Sequence, residues 1–234
     1  MTLASQTRLL IAANNPHCLQ LYNSDTGDLL ATIHRNDLQG KPTRLCMYGS
    51  GKAAAGLSER SKIQLINTKD DKLTLDKMLD VNAPVQGIAS SGDHLVVLYG
   101  SQPWLEVISE KGKSICIFQN QFDKPSDLTV SKDGNLYVSD GTKTITQLDR
   151  NLRVLKTFES PQLQIGGSIA ILSKDLLVVC DVHDVFLLRL STGKTSELIK
   201  DTKLVNGRVK YCRERKRIYL LSALDSDISV YEKR

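Results

Sequence analysis

The chain has 234 residues, of which 41% are hydrophobic and 24% are charged. This apolar content is sufficient for a folded core, but no stretch is long and apolar enough to span a bilayer, so we expect no membrane contact. MTLASQTRLL is not a convincing signal peptide. The net charge of +5 permits an acidic partner or nucleic acid without requiring one.

In chain order, six short β-type segments recur at nearly constant spacing. They are TLAS, RLCM, GIAS, DLTV, SIAI and RVKY, beginning at residues 2, 44, 87, 127, 168 and 208. One apolar residue of each segment forms a column with steps of 42, 43, 40, 41 and 40 residues: Leu3, Leu45, Ile88, Leu128, Ile169 and Val209. A fixed period in this range indicates a repeat architecture.

Three further β-type segments follow most of these first segments. The second segments are nearly all apolar, as in KAAAGL, HLVVLY and DLLVVCD, which is typical of sheets buried on both faces. In most repeats the third segment alternates apolar and polar residues. A fourth segment, such as SICIF or VLKTF, ends each of the first five repeats. The pattern predicts an all-β fold, a six-bladed β-propeller of four-stranded antiparallel blades. We place the blades near 2–42, 43–84, 85–125, 126–166, 167–207 and 208–234, in a single domain spanning 1–234.

The last blade is incomplete in this chain, since RVKY, RIYLLSA and DISVYEKR have no fourth segment after them. In propellers the ring is commonly latched by a strand from the other terminus, which here would lie before Met1. Either the chain is an excised domain, or the last blade has three strands. The abrupt start on a first strand favours excision.

The residue after each column position is small in five of six repeats: Ala4, Cys46, Ala89, Thr129 and Ala170, with Lys210 as the exception. First strands of neighbouring blades converge on a central channel, where small side chains are expected. Prolines precede or begin three first strands, at Pro42, Pro84 and Pro125, where a missing backbone donor is tolerated.

The cysteines predict a reducing compartment. The five cysteines are Cys18, Cys46, Cys116, Cys180 and Cys212. No two of them form a CxxC pair, and three of the five lie within apolar strand patterns. We therefore expect buried thiols, no zinc and no cofactor, in a cytoplasmic protein.

The stretch KPSDLTVSKDGNLYVSDGTKTITQLDRNLRVLKTF, residues 124–158, resembles an NHL repeat. The matching positions are Pro125, Asp133, Gly134, Asn135, Tyr137, Val138 and Asp140. The tripeptide that names the family is replaced here by SDGTKTITQLD. The resemblance is to the divergent NHL-like C-terminal propellers of tripartite-motif proteins, a family of RING ubiquitin ligases.

This resemblance implies a non-catalytic module that recruits a protein substrate or single-stranded RNA and works with other domains of its parent protein. Ubiquitin transfer would belong to a RING domain, because this chain has no Cys/His-rich zinc spacing. NHL propellers that bind RNA use one rim, formed by the loops before the first and third strands. The candidate binding residues on that rim are Lys41, Arg44, Arg60, Lys124, Lys203 and Arg208.

Two features leave the binding site open. The rim also carries acids, so a solvated surface of mixed charge is an alternative, and its nearby aromatics are Tyr99, Trp104 and Phe122. A second basic patch lies in KYCRERKR and should project mostly from the opposite rim: Lys210, Arg213, Arg215, Lys216 and Arg217. It either docks an acidic partner or RNA backbone, or is an exposed turn that protects an edge.

The alternative function is a metal-dependent six-bladed propeller hydrolase or lyase. Calcium would need several oxygen ligands that converge on one point. The first positions of the six first strands supply only one acid, Asp127, and two cations, Arg44 and Arg208. The six positions are Thr2, Arg44, Gly87, Asp127, Ser168 and Arg208. Zinc catalysis would need clustered histidines, whereas only His17 and His183 lie on comparable loops. No GxSxG or P-loop motif is present.

Overall fold

A computed structural model describes residues 1–14, 16–100, 103–119, 122–141, 143–163, 167–200, 207–222 and 228–232. Within these residues the structure forms 23 strands and one helix of four residues. The strands build six small antiparallel sheets in chain order, five with four strands and the last with three. The fold is a six-bladed β-propeller, and the prediction of six blades with an incomplete last blade is confirmed.

Each sheet is a meander of consecutive strands. The first consists of β1 (Thr2–Ser5), β2 (Arg8–Asn14), β3 (His17–Asn23) and β4 (Leu29–His34), and is followed by the helix α1 (Arg35–Leu38). The second consists of β5 (Pro42–Met47), β6 (Lys52–Leu57), β7 (Lys62–Asn67) and β8 (Thr74–Asp80). The third consists of β9 (Val85–Ser91), β10 (His94–Tyr99), β11 (Trp104–Ser109) and β12 (Ser114–Gln119).

The other three sheets follow the same order. The fourth consists of β13 (Pro125–Val130), β14 (Leu136–Asp140), β15 (Thr144–Leu148) and β16 (Val154–Glu159). The fifth consists of β17 (Ile169–Ser173), β18 (Leu176–Cys180), β19 (Val185–Arg189) and β20 (Thr195–Ile199). The sixth consists of β21 (Arg208–Cys212), β22 (Arg217–Leu221) and β23 (Ile228–Glu232).

Contacts divide the chain into two compact units, which are described separately. The first unit, Met1–Gln119, holds the first three sheets, and the second unit, Asn120–Arg234, holds the last three. Within each unit the first strands of neighbouring sheets contact one another. The apolar second strands lie in the core, as predicted for sheets covered on both faces.

The hairpin in the NHL-like stretch shows why these turns have their sequence. The amide of Gly134 donates to the Ser131 carbonyl oxygen at 2.9 Å, and the Ser131 amide donates to the Asn135 carbonyl oxygen at 2.8 Å. Gly134 has a φ of 84°, which only glycine adopts without strain. The Asp-Gly-Asn sequence thus reverses the chain between β13 and β14.

Two local features differ from the sequence-based expectation. Leu3 is partly exposed, whereas the other five column residues are buried; at the start of the first sheet Met1 and Thr2 are buried instead. A shift in register between Leu3 and Ser5 accompanies this difference. Residues 35–38, expected as loop, form the short helix α1, which buries Leu38. No helix in the described ranges has the length and apolar character to cross a membrane.

The third and fourth strands pair irregularly in all five complete sheets. A β-bulge or similar irregularity shifts their register in each: between Leu21 and Tyr22, Gln64 and Ile66, Val107 and Ile108, Gln147 and Leu148, and Val185 and Phe186. The sixth sheet ends differently, because β22 and β23 pair without a shift from Arg217↔Glu232 to Leu221↔Ile228. The outermost strands of the complete sheets are therefore bulged, and β23 is regular.

Candidate binding rims

The candidate residues lie at the end of the sheets where first and third strands begin. In the first unit this end, here called the first rim, includes residues 35–41, 58–61 and 81–84. The loops are tied together, since the Ser58 amide donates to the Lys41 carbonyl oxygen and the Val81 amide donates to the Ser61 carbonyl oxygen, each at 3.0 Å. The equivalent end of the second unit, the second rim, includes residues 122–124, 181–184 and 207.

Glu59 is the centre of a charged cluster on the first rim. Arg35 Nη2 lies 2.8 Å from Glu59 Oε2, and Lys41 Nζ lies 3.2 Å from Glu59 Oε1. The hydrogen bond from Lys41, together with Arg35, lowers the pKa of the Glu59 carboxyl. The cluster is solvent-exposed, so each ion pair contributes little to the stability of the fold. Its cations can therefore leave Glu59 for another acidic group.

Two more cations lie beside this cluster. Arg60 is exposed next to Glu59, and its side chain makes no ion pair within the part of the chain that the structure describes. Lys62 Nζ lies 2.7 Å from Asp80 Oδ1, a carboxylate that is itself largely exposed. The first rim therefore brings together Lys41 and Arg60 from the predicted set, with Arg35 and Lys62 on either side.

Arg44, in contrast to Lys41 and Arg60, uses its side chain to hold two strands together. Its Nε donates to the Gln86 carbonyl oxygen, and its Nη1 donates to the Thr43 carbonyl oxygen at 3.2 Å. Gln86 belongs to β9, so Arg44 connects the first strands of the second and third sheets. This side chain is less available to a partner than Lys41 or Arg60.

A related network lies on the second rim. Arg208 Nη1 is 4.0 Å from Oδ2 of the buried Asp127. Ser168 Oγ donates to the same Asp127 oxygen at 2.6 Å and accepts from the Val209 amide at 3.3 Å, while the Ile169 amide donates to Asp127 Oδ2 at 3.2 Å. These bonds join the first strands of the fourth, fifth and sixth sheets. The sequence alone indicates no such role for Asp127 and Ser168, because their partners lie about 41 residues away.

Lys124 is held on the second rim by the backbone around it. The amides of Asp123 and Lys124 donate to the carboxylate of buried Asp140 at 2.8 and 2.7 Å, and the Gly141 amide donates to the Lys124 carbonyl oxygen at 2.9 Å. Asp140, part of the NHL-like pattern, thus fixes the loop and leaves the Lys124 side chain exposed. Lys203 lies outside the described residues.

The aromatic side chains near the rims are mostly buried. Tyr99 is 0% exposed, and its hydroxyl donates to Glu106 Oε2 at 2.6 Å. Burial, with the Glu106 carboxylate, raises the pKa of Tyr99. Trp104 packs edge-on against Tyr99 with ring centroids 5.4 Å apart, and Phe122 is also buried. Tyr99 and Phe122, although near the rims in sequence, therefore offer little surface to a partner, because both side chains are buried.

The second basic patch lies at the far end of β21 from Arg208. Arg213 and Lys216 are exposed in the β21–β22 turn, whereas Arg217 Nε pairs with the Glu232 carboxylate across the sheet. Cys212 Sγ lies 3.6 Å from Glu214 Oε2 beneath the turn. The patch therefore combines Arg213 and Lys216, exposed in the turn, with Arg217, which is paired within the sheet.

The remaining chemical groups form no constellation in the described residues. No three His, Cys, Asp or Glu side chains among them are placed to hold a metal ion. All five cysteines are free, and all but the half-buried Cys116 are buried. Burial raises the pKa of the Cys180 thiol to about 12. The metal-dependent hydrolase alternative stays a prediction.

Comparisons with known proteins address the fold. No protein-family model matches the sequence, and no curated protein matches it. A functionally unknown protein from Desulfotomaculum acetoxidans DSM 771 has 12% identity and a TM-score of 0.70, with 96% of this chain and 75% of that chain covered. Kuenenia stuttgartiensis hydrazine synthase has 12% identity and a TM-score of 0.74, with 98% and 74% covered. At this level of identity, the likeness establishes the β-propeller fold and nothing finer.

Proposed function

We propose that this chain is a non-catalytic binding module that recruits a protein partner through the first rim. The observation that carries the proposal is the convergence of Arg35 and Lys41 on Glu59, with exposed Arg60 beside them. These groups come from two loops joined by the backbone hydrogen bond from Ser58 to Lys41. A rigid sheet end with adaptable charged side chains suits docking of an acidic protein segment.

The partner's carboxylates would bind to Arg35 and Lys41, the cations that pair with Glu59 in this structure. Arg60 offers a guanidinium that can take a carboxylate in a bidentate manner, and Lys41 can turn from Glu59 toward the partner. Exposed ion pairs contribute about 0.2–1 kcal/mol each, so several must act together. Binding should therefore weaken as salt is added.

A protein partner is favoured over RNA by the aromatic side chains. Recognition of single-stranded RNA relies on bases stacking on exposed aromatic rings. Tyr99 and Phe122 are buried, and Trp104 is partly covered by its contact with Tyr99.

The resemblance to tripartite-motif propellers extends this proposal to the parent protein. In that setting the module delivers a bound protein to a RING domain located elsewhere, which transfers ubiquitin. The residues of this chain would contribute selection of the substrate and no chemistry. The 12% identity of the two solved structures adds no support to this extension.

The test is crosslinking in cells, followed by mass spectrometry for proteins and sequencing for RNA. A Lys41→Glu/Arg60→Glu variant should lose at least tenfold of the crosslinked protein, because two attractive charges become repulsive. The matched control is Lys111→Glu/Lys113→Glu, which makes the same change of charge in the exposed β11–β12 turn at the opposite end of the third sheet. Equal recovery from both variants would contradict the proposal, as would RNA as the main crosslinked species.

A further inference from the structure

The first rim carries acidic side chains among its cations. Glu59 lies between Arg35 and Lys41, at 2.8 and 3.2 Å from their nitrogens. Asp80, beside the rim, lies 2.7 Å from Lys62 Nζ, and its side chain is 85% exposed. A segment that docks on this surface therefore meets acids as well as bases.

A segment that carries acids alone has to compete with Glu59. Each oxygen of the Glu59 carboxylate already pairs with a cation. The hydrogen bond from Lys41, together with Arg35, lowers the pKa of the Glu59 carboxyl, so this group is ionised at neutral pH. To pair with both cations, the carboxylates of the segment must displace Glu59 and leave its charge uncompensated beside them. Like charges brought together in this way oppose binding.

A segment that also carries a base avoids this conflict. The Glu59 side chain is 39% exposed, so a lysine or arginine of the segment can reach its carboxylate. The Glu59 charge then stays paired when Arg35 or Lys41 turns to an acid of the segment. Arg60, exposed next to Glu59 and without an ion pair in the part of the chain described above, can take a further acid. Both charges of the rim are thus matched.

We propose that the segment that docks on the first rim carries acidic and basic side chains together, with a lysine or arginine placed to pair with Glu59. This inference rests on the proposed function, because it concerns the partner of the same rim. It narrows that partner from an acidic segment to one of mixed charge. A rim acid that opposes one kind of segment and attracts another provides selectivity that cations alone do not.

Two labelled peptides test the proposal by fluorescence anisotropy. Both carry tetramethylrhodamine, and their sequences are EEKEEKEE and EEQEEQEE. The native protein should bind the lysine peptide about twofold to fivefold more tightly, which is the gain expected from an exposed ion pair. Net charge alone predicts the opposite order, because the glutamine peptide is the more negative of the two and the protein has a net charge of +5.

Glu59→Gln removes the acid that the lysine peptide would meet. In this variant the advantage of the lysine peptide should disappear, and the glutamine peptide should bind more tightly than it binds the native protein, since its acids no longer compete with Glu59. Glu110→Gln is the matched control and should keep the native preference. Glu110 also pairs with two cations, Lys52 Nζ at 3.0 Å and Lys77 Nζ at 3.8 Å, but it follows β11 at the opposite end of the third sheet.

The Lys41→Glu/Arg60→Glu variant distinguishes failure of this inference from failure of the proposed function. If it binds both peptides as the native protein does, or if neither peptide binds the native protein at millimolar concentration, the first rim is not the docking site and both proposals are wrong. If it loses binding, but the native protein prefers the glutamine peptide or Glu59→Gln still prefers the lysine peptide, the rim docks acidic segments and the assignment of mixed charge is wrong.

Discussion

Replacing Gly167 by alanine should destabilise the second unit by roughly 2–6 kcal/mol. A Cβ built at Gly167 would lie 2.1 Å from the carbonyl oxygen of Cys180, whereas ordinary contacts begin at 3.4 Å. The overlap of 1.3 Å, from 3.4 minus 2.1, is with backbone inside the buried β18, so no side-chain rotation can relieve it. Overpacking of this kind typically costs about 1–3 kcal/mol.

Moving the Gly167 backbone would also break hydrogen bonds. Its carbonyl oxygen accepts from Ser139 Oγ at 2.6 Å and from Ser126 Oγ at 3.2 Å. Each such bond is worth about 0.5–1.5 kcal/mol, so losing both adds roughly 1–3 kcal/mol. The sum of the two effects gives the expected range.

Urea unfolding followed by circular dichroism measures the change. Gly40→Ala is the matched control, because a Cβ there would meet Leu57 at 3.4 Å, an ordinary contact, and should change stability by less than about 0.5 kcal/mol. If Gly167→Ala unfolds at the same urea concentration as the native protein, the close approach of residue 167 to Cys180 is not a feature of the molecule.

Two substitutions and one thiol-reactivity measurement test the core further. Ala170→Leu should lower the melting temperature and cost roughly 1–3 kcal/mol, because the side chain is buried on β17; an unchanged melt would mean that it faces open space. Tyr99→Phe removes the hydroxyl that donates to Glu106 and should lower the free energy of unfolding in urea by roughly 1–3 kcal/mol. An unchanged free energy of unfolding would mean that the hydroxyl is solvated. Burial raises the pKa of Cys180 from 9.0 to about 12, so its contribution to stability is present below about pH 9 and is lost as the pH rises toward 12. At pH 8 Ellman's reagent should therefore react quickly with half-buried Cys116 and slowly with Cys180, and similar rates for the two thiols would contradict this.

The repeat predicts the sheets because each strand pairs with a neighbour in sequence. Alternation, Asp-Gly turns and apolar second strands are local features, so they indicate strands without knowledge of distant contacts. The repeat spacing predicts buried residues less reliably where the register of the strand pairing shifts. Leu3 fits the column by spacing, yet the bulge after it gives the buried positions to Met1 and Thr2.

The candidate site could be predicted only in part. Positions on the rims follow from strand order, which places Lys41 beside Glu59, the sequence neighbour of Arg60. The role of Arg44 could not be inferred, because its bond to the Gln86 carbonyl crosses to the next sheet, 42 residues away. The burial of Tyr99 was likewise not evident from the sequence, because its ring lies in a core cluster with residues of the second sheet such as Ile63 and Leu65.

The pairing of strands with their chain neighbours has a consequence for synthesis. No sheet draws on more than about 40 residues of chain, so a sheet can form as soon as its last strand has left the ribosome. Loops that close over such short distances lose little entropy, and folding limited to them is fast. The bond between Asp127 and Ser168 can form only when the next repeat has emerged, because these residues are 41 positions apart. The strands of one blade can thus pair with one another as they emerge, and contacts between blades such as this bond complete the structure once the next blade follows.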